Sequence, residues 1–130
     1  MSDMTLVRRW LSRAQDDLLV ARRLFEDFHP KQLEISCYQC QQAAEKALKA
    51  YLISKEYEFP FTHDLVRLCQ ICLEFHEGFD DLLEDCADLS PYATQARYPN
   101  EIPIDEVKTL AALQKAERVM ALCVSLIEVD

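Results

Sequence analysis

Apolar residues recur at steps of three and four along most of this chain, the period of a helix buried along one face. Leu6, Trp10, Ala14, Leu18, Ala21, Phe25 and Phe28 form one such stripe and predict a helix from about Met4 to Phe28. His29-Pro30 ends it, because proline pushes the residue before it out of the α region. A second helix is predicted from about Gln32 to Lys55, with Cys37, Cys40, Ala44, Ala47, Leu48 and Tyr51 on one side. Its small residues permit close approach of a neighbouring helix. Phe59-Pro60 falls in the connection that follows.

Thr62 has the chemistry of an N-cap for a third helix, since its hydroxyl can accept from an orphan backbone N–H. Phe61 and Val66 flank that cap with the spacing of a hydrophobic staple. Asp64 adds negative charge where the helix dipole favours it. Leu65, Leu68, Cys69, Cys72 and Phe75 supply the inward face, and Gly78 is the expected stop. Phe79 to Asp88 reads as a short acidic helix. Ser90-Pro91 then pairs a cap with proline at a first helical position, which predicts a brief helix to about Ala96. Tyr98 to Pro103 is the clearest loop. A last helix from about Ile104 to Ile127 carries Val107, Leu110, Ala111, Met120, Cys123, Val124 and Ile127 inward. The connections are short and no repeat interrupts the pattern. The fold expected is all-α: an up-and-down antiparallel bundle of four main helices plus one or two short ones, forming a single domain over 1–130.

Composition agrees with that class. Half of the 130 residues are hydrophobic and only one is glycine, which disfavours disorder and favours helix. No apolar run reaches the roughly 18 residues of a membrane span. The N-terminus lacks the apolar core of a signal peptide, so a cytoplasmic location without membrane contact is expected. The net charge is −9, with acid concentrated at Glu77, Asp80, Asp81, Glu84, Asp85 and Asp88. Non-specific nucleic-acid binding needs a basic surface to release counterions, which this charge opposes. Arg8, Arg9, Arg13, Arg22 and Arg23 nevertheless lie within the first 23 residues. They form either a solvated helix face or a local basic groove; charged helix faces are usually solvated.

Two cysteine pairs, Cys37-x-x-Cys40 and Cys69-x-x-Cys72, have the spacing of a four-thiolate zinc site. Both fall inside predicted helices rather than on tight turns, on faces assigned to the core, where a free thiol acts as a small hydrophobe. No metal is expected. His63 lies in the first turn of a predicted helix, where the dipole disfavours imidazolium, which suits a neutral hydrogen-bonding role. His76 is expected at a helix end, complementing the dipole. Gln41, Glu45 and Lys49 form a row one turn apart. That row is either an exposed ion pair worth about 0.3–0.5 kcal/mol, or part of a polar cleft where Glu45, Lys46 or Lys49 meets Arg97. Arg97 and Tyr98 likewise read either as a packed tyrosine with an arginine reaching to water or as part of that cleft. No P-loop, dinucleotide glycine motif, metal-binding carboxylate triad or serine elbow is present.

Four segments occur in an order and spacing that is jointly specific: Trp10, Ala14, Asp17-Leu18 and Ala21; Cys40 to Leu52; Thr62-His63-Asp64-Leu65; and Arg97-Tyr98-Pro99. Together they resemble the HEPN domain family, the higher eukaryotes and prokaryotes nucleotide-binding domain. The resemblance implies a helical bundle, often a homodimer, acting beside a separate minimal nucleotidyltransferase in toxin–antitoxin or nucleotide-transfer pairs. Many toxic members are ribonucleases using Arg, four to six intervening residues, then His. Here Arg97 matches the arginine, but the positions of the histidine hold Ile102, Pro103 and Ile104. The tyrosine that follows the histidine in some members is also missing. The expectation is therefore a non-catalytic binding module that dimerises, pairs with a minimal nucleotidyltransferase, and takes a nucleotide, with no cofactor. Gln41, Glu45, Lys46, Lys49, His63, Arg97 and Tyr98 are the candidate contacts. The alternative is a metal-independent ribonuclease toxin acting on RNA, in which Arg97 works with His63 or with a histidine from a second subunit. A dimeric scaffold without ligand is a third reading.

Overall fold

The computed structural model describes residues 3–95 and 103–129, and among these no strand occurs. Three long helices dominate: α1 (Met4–Glu26), α2 (Leu33–Ser54) and α6 (Glu106–Val129). Between α2 and α6 run α3 (Leu65–Leu73), a 3-10 helix (Glu77–Leu82), α4 (Leu83–Leu89) and α5 (Tyr92–Gln95). The arrangement is the all-α bundle that the periodicity predicts.

α2 is the central element, packed between α1 and α6 and touched also by α3, α4 and α5. Its alanines Ala43, Ala44, Ala47 and Ala50 are fully buried, as are Cys37, Cys40, Leu48 and Leu52. A helix covered on nearly all sides buries residues outside any single stripe, and α2 does so with Gln41, Glu45 and Lys49 as well. Small side chains let the backbones of its neighbours come close, and Ser36 Oγ donates to Ala21 O of α1 at 2.7 Å.

Several inward faces differ from the sequence expectation. On α1 the buried positions are Val7, Leu11, Ala14 and Ala21, while Leu6 and Phe28 are exposed. The true stripe is displaced by one residue at its N-terminal end. On α6 the buried row is Thr109, Ala112, Leu113, Ala116, Val119, Met120, Cys123 and Ile127; Val107 is 77% exposed and Leu110 also faces water. The third helix starts later than predicted. Asp64, not Thr62, is its N-cap and accepts from the Val66 and Arg67 amides at 3.0 and 3.4 Å. Thr62 Oγ1 instead accepts from the Asp64 amide. Phe61 is 99% exposed, so no staple forms. α3 also ends before Gly78: His76 Nδ1 accepts from the Gly78 amide at 2.9 Å and opens the 3-10 helix rather than closing α3. Phe75 faces water and meets Tyr57 edge-on.

The exit from α2 positions everything that follows. Glu56 adopts a left-handed conformation with φ 58°, the Tyr57 amide donates to Leu52 O, and the Glu56 amide to Ile53 O. This paired bonding is a Schellman turn. It reverses the chain, and the connection then runs back along α2 to His63.

Candidate functional site: a buried polar row capped by histidine

The polar row of α2 is the chemically distinctive part of the molecule. Spacing of four puts Gln41, Glu45 and Lys49 on one line of the helix. The sequence left open an exposed ion pair; the structure buries the row, with Gln41 at 0%, Glu45 at 5% and Lys49 at 7% exposure. Burial demands partners, because an unpaired polar group away from water is costly. Lys49 Nζ donates to Glu45 Oε2 at 2.9 Å, and Gln41 Nε2 donates to Glu45 Oε1 at 3.0 Å. Gln41 also reaches the His63 carbonyl, and its own oxygen accepts from Gln42 Nε2. Phe59 and Trp10 cover the lysine end, with Lys49 Nζ 5.3 Å from the Phe59 ring centroid and 6.0 Å from that of Trp10.

His63 closes the row from outside. Its Nδ1 lies 3.0 Å from Glu45 Oε1 and 3.2 Å from Oε2. The residue precedes the N-cap of α3, so it lies outside the helical turn in which the sequence placed it. A carboxylate on Nδ1 fixes the tautomer with the proton there and leaves Nε2 as the free position. Burial pushes the Glu45 carboxyl up. Hydrogen bonds from Gln41 and Lys49, the lysine charge and the bond from His63 outweigh that and hold it below the usual glutamate range. The site therefore carries a fixed anion, a buried cation and an aimed imidazole. Phe61 stands fully exposed beside it, its ring 6.1 Å from the imidazole.

Of the remaining candidates, Lys46 points away from the row and pairs with Asp17 on α1. Arg97 and Tyr98 lie outside the described residues. Asp17 and Phe59 are site-adjacent residues that the sequence reading did not single out as contacts. The spacing of 29 residues between Asp17 and Lys46 leaves no local signal of their pairing. All six cysteines are buried free thiols. Cys37 Sγ meets Thr109 of α6, whereas Cys72 Sγ meets Leu48 O of α2. Burial pushes Cys40, Cys72 and Cys123 well above the ordinary thiol range. Among the described residues no group of three or more His, Cys, Asp or Glu has metal-holding geometry.

The Thr62-His63-Asp64-Leu65 element thus places His63 over Gln41 and Glu45 of α2 and caps α3, and a family model described as HEPN domain matches residues 7–127. The chain belongs to the HEPN domain family. The HEPN bundle is also seen in solved structures. TT1696 from Thermus thermophilus superposes with a TM-score of 0.80 at 25% identity, covering 92% of this chain and 96% of that one. ST0689, an archaeal HEPN homologue, gives 0.75 at 24% identity, covering 93% and 97%. No curated protein matches the chain. No described helix is long and apolar enough to cross a membrane.

Proposed function

We propose that this HEPN domain is a non-catalytic binding module. It dimerises, acts with a separate minimal nucleotidyltransferase, and takes a nucleotide at the face formed by His63, Phe61 and the Gln41–Glu45–Lys49 row. The observation that carries this reading is the imidazole held by Glu45 beside a phenyl ring left entirely in water. An exposed aromatic ring offers a stacking surface to a base, and His63 Nε2 offers one directed hydrogen bond. The absence of histidine after four to six intervening residues beyond Arg97, where Ile102, Pro103 and Ile104 stand, weighs against the ribonuclease chemistry of toxic HEPN proteins.

The test is co-expression with a minimal nucleotidyltransferase, followed by a sizing column and a melting scan with nucleoside triphosphate. Co-elution, together with a rise in Tm that His63→Ala removes, is expected. Separate peaks and an unmoved Tm would overturn the proposal.

One observation favours a second reading. A histidine oriented by a carboxylate is also the arrangement of a general base, so His63 with Arg97 would form a metal-independent ribonuclease. RNA cleavage in EDTA that disappears in both Arg97→Ala and His63→Ala would establish it, and no cleavage would leave the binding module.

A further inference from the structure

The arginines of α1 divide into two groups. Arg22 pairs with Glu26 and with Glu117 of α6, and Arg23 pairs with Asp27. Arg8, Arg9 and Arg13 are exposed and pair with no carboxylate among the described residues. Arg9 and Arg13, one turn apart, line a groove of about 260 Å³ together with Leu6, Trp10 and Lys46. The same two arginines border a shallower depression with Thr5, Arg8, Ser12 and Asp16.

The lining chemistry restricts the ligand. Leu6 is exposed and Trp10 is half-buried, so the floor is apolar and open. Its rim is cationic, with Lys46 partly neutralised by Asp17. Leu6, Arg9, Trp10, Arg13 and Lys46 together offer no side-chain acceptor. The lining itself therefore has no group to read the amino groups of a nucleobase, and the neighbouring Asp17 carboxylate is engaged by Lys46. Paired guanidinium groups match carboxylates in bidentate fashion. The volume suits one aromatic or large aliphatic side chain and little more.

We infer that this α1 groove is a docking site for an acidic protein segment, one that inserts a single large apolar side chain against Trp10 and Leu6 while its flanking carboxylates meet Arg9 and Arg13. The complement is a charge match: two arginines, Arg9 and Arg13, with no carboxylate partner among the described residues, on a chain whose net charge is −9, beside an apolar floor. This surface lies on α1, on the other side of Trp10 from Lys49 and Phe59, and its cationic rim takes no part in the His63 contact.

Trp10 is the only tryptophan in the sequence, so its emission reports on the groove and on the Lys49 end of the polar row it covers, and the charge variant of the rim tells the two apart. The probe is a peptide of about 15 residues with one central Phe among Asp and Glu, titrated to about 1 mM, the weak end of specific affinity. A saturable change in Trp10 emission is expected. Replacing the peptide's Phe with Ser, or its acids with Asn and Gln, should weaken binding at least tenfold, and Arg9→Glu with Arg13→Glu should do the same. Circular dichroism of the charge variant confirms folding, since both positions are exposed. No spectral change, or a response that survives in the charge variant, would overturn the inference. So would tighter binding of a nucleoside monophosphate or an oligonucleotide than of the acidic peptide.

Discussion

The Glu45 carboxylate and the His63 imidazole meet at 3.0 Å across 18 residues of chain, joining the middle of α2 to the connection just before the N-cap of α3. The same carboxylate holds Lys49 on its other oxygen. One buried anion therefore anchors a cation of its own helix and the connection folded over it.

Removing that anion should be far more costly than removing the pair. Breaking a buried ion pair by deleting one partner costs about 3–5 kcal/mol, because the survivor is left uncompensated, whereas replacing both by apolar residues is often neutral. Glu45→Leu should therefore destabilise by about 3 kcal/mol, and Glu45→Leu with Lys49→Met should recover most of the loss. Urea unfolding of both variants measures this. A double variant no more stable than the single one would show that the charge pairing is not what the row contributes.

Acid should uncouple the same contact. In the folded protein the Glu45 carboxyl lies below its ordinary range: burial raises it, and bonds from Gln41, Lys49 and His63 more than compensate. A group depressed on folding contributes stability that is fully present above its unfolded value, about 4.3 for glutamate, and is lost as pH falls through the folded value. The part of the stability difference between the native protein and Glu45→Gln that the carboxylate charge supplies should be present above about pH 5 and shrink below it. A difference that stays constant to pH 3 would contradict the shift.

The entry to α3 gives a sharper contrast. Asp64 caps two backbone amides, while Thr62 holds only the amide of Asp64. Loss of a helix cap costs about 1 kcal/mol. Asp64→Ala should therefore lower stability by about that amount, and Thr62→Ala by clearly less. Equal losses would restore threonine as the cap, the position the sequence pattern favours.

That displaced cap illustrates what the chain conveys locally and what it does not. Thr62 and Asp64 are both good caps, and the choice is made by where Leu65 must lie to enter the core. The stripe of α1 is ambiguous in the same way. Ala14, Leu18 and Ala21 belong equally to a row begun by Leu6 and to one begun by Val7, and only the neighbouring helices decide which is covered. Val107 and Leu110 repeat the point on α6, where their apolar row faces water and the adjacent one through Thr109, Ala112 and Ala116 is buried. Helix positions, by contrast, were legible, because proline breaks and long apolar periods are local. The polar row was visible as a spacing, yet its burial was not. Gln, Glu and Lys at intervals of four ordinarily face water, and only the Schellman reversal after Ser54 brings Phe59 and His63 over them. Arg97 and Tyr98 lie outside the described residues, so their relation to this row stays at the level of the family resemblance.

The alanines of α2 provide a test of why this helix can be central at all. Ala43, Ala44, Ala47 and Ala50 show no exposure, so each is covered by neighbouring side chains or backbone. Adding methylenes to a packed site forces side chains off their rotamers and shifts backbone, at about 1–3 kcal/mol. Leucine has a helix propensity close to that of alanine, so Ala47→Leu changes packing and little else. The variant should lose about 1–3 kcal/mol by urea unfolding. Glu34→Leu, at an exposed position of the same helix, should stay within about 0.5 kcal/mol of the native protein. If the two substitutions proved equivalent, the bundle would have slack around α2, and the close approach made possible by its small residues would not be what holds α1 and α6 against it.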